Sequence, residues 1–208
     1  MASGPSRKIA CIDLGIASFT PGNQVECGDL SVANYSAGRA LVAAIDGIGH
    51  GQNAAAAART AATILESFPD DSLISQVQKC HDALRGTRGA VLSLALIDLQ
   101  HSTLTWLGVG NVQGVLLRST NASHFPNETL LLRPGVLGLQ LPHLQTATIP
   151  IFPGDTFAFA TDGIQSDFSN DLFLHESPQR SADRILAKHC KGNDDALIFV
   201  VRYAGITS

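Results

Sequence analysis

Between residues 7 and 15 (RKIACIDLG) apolar and polar positions alternate, as along a strand with one covered face. Residues 29–34 and 39–46 share that character, and Tyr35-Ser36-Ala37-Gly38 between them reads as a hairpin turn. The period changes after Gly47-Ile48-Gly49-His50-Gly51. In the stretch 52–68 (QNAAAAARTAATILESF) alanine, the strongest helix former, is joined by Ile64, Leu65 and Phe68 on an apolar face, which predicts a closely packed helix. Residues 70–84 predict a second helix: Leu73, Val77, Cys80 and Leu84 recur at helical spacing, and Asp70, Asp71 or Ser72 can cap it. From Gly89 onward short strand patterns follow (AVLSLALIDL, LTWLGVG, VQGVLLRS, ETLLLRP, QTATIPI, DTFAFATD), separated by Gly, Asn and Pro, which suggests antiparallel pairing. A helix is expected at about 178–189 and a last buried strand at 195–203. Strand groups with consecutive helices between them predict an α+β fold, with sheets packed on each other and helices outside.

The bulk numbers narrow the function classes. A chain of 208 residues supports one substantial core and is short for two ordinary domains. Its 45% hydrophobic and 15% charged residues argue against disorder. The formal net charge is −4, and no Lys/Arg run exceeds Arg7-Lys8, so a nucleic-acid partner is disfavoured. No apolar run reaches ~18 residues, and the N-terminal stretch lacks a signal-peptide core, so no membrane association is expected. Cys11, Cys27, Cys80 and Cys190 form no C-x-x-C pair; reduced thiols in the cytoplasm, each a small buried hydrophobe, are the expectation.

The acidic residues sharpen the picture. LVAAI-Asp46-Gly47 and TFAFAT-Asp162-Gly163 are apolar strands ending in an aspartate, and Asp194-Asp195 stand just before the apolar run ALIFVV. Each alone is most simply a turn residue. Three such strand ends brought together would repel one another unless a cation were bound. Oxygen donors would then favour Mg²⁺ or Mn²⁺ over zinc or copper.

The ordered set Ala44-Ile45-Asp46-Gly47-Ile48-Gly49-His50-Gly51, Pro153-Gly154-Asp155 with Thr161-Asp162-Gly163-Ile164, and Asp194-Asp195 before Ala-Leu-Ile-Phe-Val resembles the metal-dependent PPM (type 2C) serine/threonine phosphatases, especially their bacterial SpoIIE-like branch. Cys27-Gly28-Asp29, Gly86-Thr87-Arg88-Gly89-Ala90, Gly108-Val109-Gly110-Asn111 and Arg133-Pro134-Gly135-Val136-Leu137-Gly138 add to it. The resemblance covers roughly residues 8 to 203. It implies one phosphatase domain over 1–208, built as two antiparallel sheets in a central sandwich flanked by helices. It also implies two bound cations, Mn²⁺ or Mg²⁺: Asp46 bridging both, Gly47 giving its carbonyl to the first, Asp162 and Asp194 (or its neighbour Asp195) binding the second, and Asp29 near the first. Activation of a water by the cation pair is the implied chemistry, with no Ser or Cys nucleophile. The compact form, with no sensor domain attached, resembles phosphatases of the stressosome, which implies phosphorylated scaffold and antagonist proteins as substrates.

Other residues carry weaker signals. His50 fits either a proton donor to the leaving oxygen or a helix-start hydrogen bond; G-I-G-H-G differs from the D-G-H-G of the eukaryotic branch, so no role transfers. Arg88 is a candidate phosphate contact, though a surface arginine before a strand is the simpler reading; Asn111 could support the site, though a turn is again the simpler reading. The remaining histidines show no ligand spacing and are expected at the surface, Trp106 in the core. Gly49, Gly51 and Gly163 are read as turns, and loop 119–127 and segment 165–176 as candidate substrate-selecting surfaces. No P-loop, dinucleotide fingerprint or nucleophile elbow is present. The chain is expected to be a monomer. Two rival readings are a non-catalytic phosphoprotein-binding module on the same fold and a hydrolase of small phosphorylated metabolites. The complete set of Asp46, Asp162 and Asp194 favours an active enzyme over a binding module.

Overall fold

A computed structural model describes residues 7–9, 11–22, 24–67, 72–119 and 124–205. Its strands are β1 (Arg7–Ile9), β2 (Ile12–Phe19), β3 (Asp29–Ser36), β4 (Arg39–Gly47), β5 (Ala90–Asp98), β6 (Thr103–Val109), β7 (Gln113–Leu117), β8 (Glu128–Thr129), β9 (Leu132–Arg133), β10 (Ala147–Pro150), β11 (Thr156–Ala160) and β12 (Ala196–Tyr203). The helices are α1 (Gln52–Glu66), α2 (Leu73–Ala83) and α3 (Pro178–His189). One sheet runs β1-β2-β12-β11-β7-β8 and the other β10-β6-β5-β4-β3.

The continuous apolar runs are strands covered on both faces. In β4, Ala40, Val42 and Ala44 point into the core between the sheets, where they meet Phe157, Phe159, Phe199 and Trp106. The alternate residues Leu41, Ala43 and Ile45 pack under α1 and α2. In β12, Leu197, Phe199 and Val201 face the sandwich interior, while Ala196, Ile198 and Val200 lie under α3. Side chains alternate sides along a strand, so only strands lined on both sides can lack the polar alternation. The α+β sandwich expected from the sequence is therefore the observed architecture.

The alanines of α1 serve close packing: Ala54, Ala55, Ala57, Ala58, Ala61 and Ala62 are buried, so the helix sits low on its sheet. Ser72 caps α2 by accepting from the Ser75 N–H at 3.2 Å; Phe68, Asp70 and Asp71 lie outside the described residues. Ser177 caps α3, with Pro178 at its first position, where no N–H is missed.

Several expectations are corrected. The strand expected over 7–15 is the β1–β2 hairpin, with Ile9 paired to Ile12. The β3–β4 turn is only Ala37-Gly38, both at positive φ, as a two-residue hairpin turn following the right-handed strand twist requires. ETLLLRP splits: β8 pairs with β7, while β9 crosses to the other sheet and pairs with β6 in parallel, an exception to the antiparallel expectation. Cys27 and Cys190 are only half-buried, although Cys11 and Cys80 are core residues; all four are free thiols. His189 is buried rather than at the surface, with Nε2 2.8 Å from Asp171 and Nδ1 3.2 Å from Asp167.

Asp155, from the Pro153-Gly154-Asp155 segment, has a structural role. It is fully buried and takes the Arg118 guanidinium at 2.9 Å, the Ser119 N–H at 2.7 Å and the Phe152 N–H at 3.1 Å. That pair fastens the segment after β7 to the turn that starts β11.

Candidate active site

Antiparallel pairing brings the acidic residues together. β11 and β12 run in opposite directions, with Ala160 opposite Ile198, so Asp162 just after β11 lies at the same end as Asp194 and Asp195 just before β12. In the second sheet Asp29 opens β3 and stands opposite Asp46 near the end of β4. The Thr161 hydroxyl joins the two sheets there, donating to Asp29 Oδ2 at 2.7 Å. The result is a cavity of ≈ 280 Å³ lined by Asp29, Asp46, Ile48, Gly49, His50, Asn111, Asp162, Asp194 and Asp195.

Four of the five carboxylates have one oxygen held by a protein donor. Asp29 Oδ2 takes Thr161, and Asp162 Oδ2 takes Asn111 Nδ2 at 3.0 Å. Asp195 Oδ2 takes the Gly28 N–H at 2.8 Å, and Asp194 Oδ1 takes the Asp195 N–H at 2.9 Å. Asp195 is nearly fully buried, and its Oδ1 has no partner among the described residues. Burial pushes the Asp29 carboxyl up to about 7; the Thr161 hydrogen bond opposes this, and repulsion from Asp195, Asp162 and Asp194 adds to it. Burial, then repulsion from Asp29, Asp162, Asp194 and Asp195, pushes Asp46 to about 8. No three of these side chains are closed into a ligand set for a cation; they line an open cavity instead. The donor chemistry nonetheless fits hard divalent cations: five carboxylates, clustered negative charge, and an unpaired buried carboxylate oxygen.

The other sequence candidates fall into place around this cavity. Gly47 is buried beside it, donating its N–H to Gly28 O at 3.0 Å, and is not part of the lining. His50 is exposed and lines the cavity; α1 has no side-chain cap, so the helix-start role is not seen. Arg88 is exposed and lines a neighbouring groove. Asn111 takes the site-supporting alternative rather than the simpler turn: it is a cavity residue holding Asp162. Its position between β6 of one sheet and β7 of the other was the available signal. Lys191 carries no functional signal in the sequence, yet its ammonium donates to the Asp162 carbonyl at 2.5 Å, fixing the strand end that carries the carboxylate.

The family model described as Stage II sporulation protein E (SpoIIE) matches residues 36–204, which takes in Asp46, Asp162 and both Asp194 and Asp195. The chain belongs to the SpoIIE family. This SpoIIE-family chain is 26% identical to the phosphoserine phosphatase RsbX of Bacillus subtilis (strain 168) over 164 residues, 77% of this chain and 79% of RsbX. A solved chain from work on the bacterial stressosome, a modular system adapted to control secondary messenger signalling, is 32% identical, with TM-score 0.83 over 92% of this chain and 99% of that one. RsbX in complex with magnesium shares the fold at 20% identity, with TM-score 0.83 over 95% and 98% of the two chains. In family and in fold the chain is a PPM-type serine/threonine phosphatase.

Proposed function

We propose that the SpoIIE-family chain hydrolyses phosphoserine and phosphothreonine in proteins, with Asp46, Asp162 and Asp194 holding two Mg²⁺ or Mn²⁺ ions. The observation that carries this is the delivery of five carboxylates to one cavity by four strand ends. Asp195 is the alternative to Asp194 through its unpaired Oδ1, Gly47 would contribute its carbonyl, and Asp29 stands behind Asp46. Bound cations supply the positive charge a phosphate needs and lower the pKa of a water towards neutrality. The protein's own part is orientation: Asn111, Thr161, the Gly28 N–H and the Asp195 N–H each fix one carboxylate oxygen and leave the other open, so that cation binding has only to draw the free oxygens inward. His50 lines the cavity and does not cap α1, which supports it as the proton donor to the leaving alcohol over the helix-start role.

The assignment extends to one domain over 1–208 with its core at about 8–203, acting as a monomer in the cytoplasm; the family match over 36–204 supports the domain. Among the described residues no helix is long and apolar enough to cross a membrane. Likeness to RsbX and to a stressosome chain supports phosphorylated stressosome scaffold and antagonist proteins as substrates. The test is phosphate release from such phosphoproteins. Release is expected only with Mn²⁺ or Mg²⁺ and is expected to be lost in Asp46→Asn and Asp162→Asn. Normal turnover by either variant would sink the metal assignment, and binding without turnover by the unaltered protein would favour a phosphoprotein-binding module.

A further inference from the structure

A second hollow, of ≈ 480 Å³, lies beside the acidic cavity and has no part in the cation assignment. One wall is a single face of α1, formed by Asn53, Ala56, Ala57 and Thr60; the other is Gly86-Thr87-Arg88, leading into β5. The two hollows meet at one joint. Gly49 lines the cavity, and a Cβ built on it would stand 2.6 Å from Arg88 Nη1, so the guanidinium lies against the glycine backbone. Gly49 also has a φ of 94°, which few side-chain-bearing residues adopt. Arg88 is exposed, and no acceptor among the described residues is bonded to it. Its guanidinium therefore stands where the groove opens onto the acidic cavity, the one charged side chain among the described residues of the groove lining.

We propose that this groove holds the substrate polypeptide beside its phosphorylated residue, with Arg88 the residue that determines specificity. The inference rests on the phosphatase reading and adds to it where the polypeptide lies and what selects it: an extended phosphoserine segment with acidic neighbours, matched by the charge of Arg88 in the groove lining. Ala56, Ala57 and Gly86 leave room for a main chain to lie close, and the guanidinium fork suits paired carbonyl or carboxylate oxygens.

The experiment compares kcat/KM for an acidic phosphoserine peptide with that for p-nitrophenyl phosphate, which is too small to occupy the groove, in the 208-residue chain with Mn²⁺. Variants are Arg88→Ala, Arg88→Lys and Ala56→Trp; Ala56 is exposed, so the tryptophan fills the groove without entering the core. Arg88→Ala and Ala56→Trp are expected to lower the peptide value relative to the small substrate by about tenfold or more, mainly through KM, as loss of a charge-assisted contact does. Arg88→Lys is expected to recover part of it. Equal losses on both substrates would assign Arg88 to the phosphate itself or to the fold and overturn the proposal, as would no loss on either. Hydrolysis of neither substrate by the unaltered protein would defeat the phosphatase reading first, and the groove assignment with it.

Discussion

At the scale of single residues, the site depends on how closely two strand ends approach. A Cβ on Gly163 would lie 2.0 Å from the Asp195 carbonyl oxygen, so any side chain there pushes β11 and β12 apart where Asp162 and Asp195 meet. Gly163→Ala is expected to cost about 1–3 kcal/mol by overpacking. Activity should fall more sharply, by about a hundredfold, because the carboxylates move out of register with each other. Thermal melts and phosphate release on the purified variant check both numbers; full activity would show that the two ends are not rigidly coupled. The aspartates themselves were legible in the sequence, since Asp46, Asp162, Asp194 and Asp195 all abut apolar strands. Asn111 was legible only as an alternative to a turn, and Lys191 not at all. Their roles depend on partners 51 and 29 residues away, and a G-x-G-N segment is locally indistinguishable from a turn. His189 was misjudged for the same reason: its carboxylate partners become visible only once the 3₁₀ turn at Phe168–Asp171 folds back on α3.

At the scale of elements, α2 carries a conflict. Gln76 is fully buried on the helix face that packs with Val77 and Cys80, and neither its amide nitrogen nor its oxygen has a partner among the described residues. Gln76→Leu keeps the volume and removes two unpaired polar atoms, so it is expected to stabilise the protein by about 1–2 kcal/mol. That is a rise of about 2–8 °C in Tm for a chain of this size; a lower Tm would mean that the amide is satisfied in solution. The opposite outcome belongs to the link between β7 and β11. Asp155→Ala leaves the buried Arg118 guanidinium to the longer Glu128 ion pair at 3.7 Å and takes the acceptor from the Ser119 and Phe152 N–H groups, and is expected to cost about 3–5 kcal/mol, seen as a large drop in the denaturation midpoint. The helices were read correctly because their apolar period and caps are local. The strands were read less well at 7–15 and 128–134, where a turn interrupts one apolar run and where Leu132 and Arg133 join the other sheet. Apolar runs report burial on both faces but not which neighbour a strand takes.

At the scale of the whole molecule, the convergence of the carboxylates follows from topology, which is why spacing along the chain could suggest it but not establish it. Two antiparallel pairs, β3–β4 and β11–β12, each place a strand start beside a strand end, and stacking the two sheets superimposes those ends. The consequence is a pH dependence with a definite sign. Asp29 and Asp46 are held at about 7 and about 8 in the folded chain, against an ordinary carboxyl value of 3.8. For groups raised on folding, the unfolded chain loses its protons first, so their contribution to stability is fully present below about pH 4 and is lost as pH rises towards 8. The cation-free protein should therefore lose stability between about pH 5 and pH 8 from this cluster, and Asp46→Asn should flatten that slope and raise the Tm at pH 8 while abolishing turnover. Added Mg²⁺ or Mn²⁺ competes with the protons for the same oxygens, so its stabilising effect should grow from pH 5 to pH 8. Melting curves at both pH values, with and without the cation, separate these effects. A cation effect independent of pH, or one undiminished in Asp46→Asn, would place the binding elsewhere than on this carboxylate cluster.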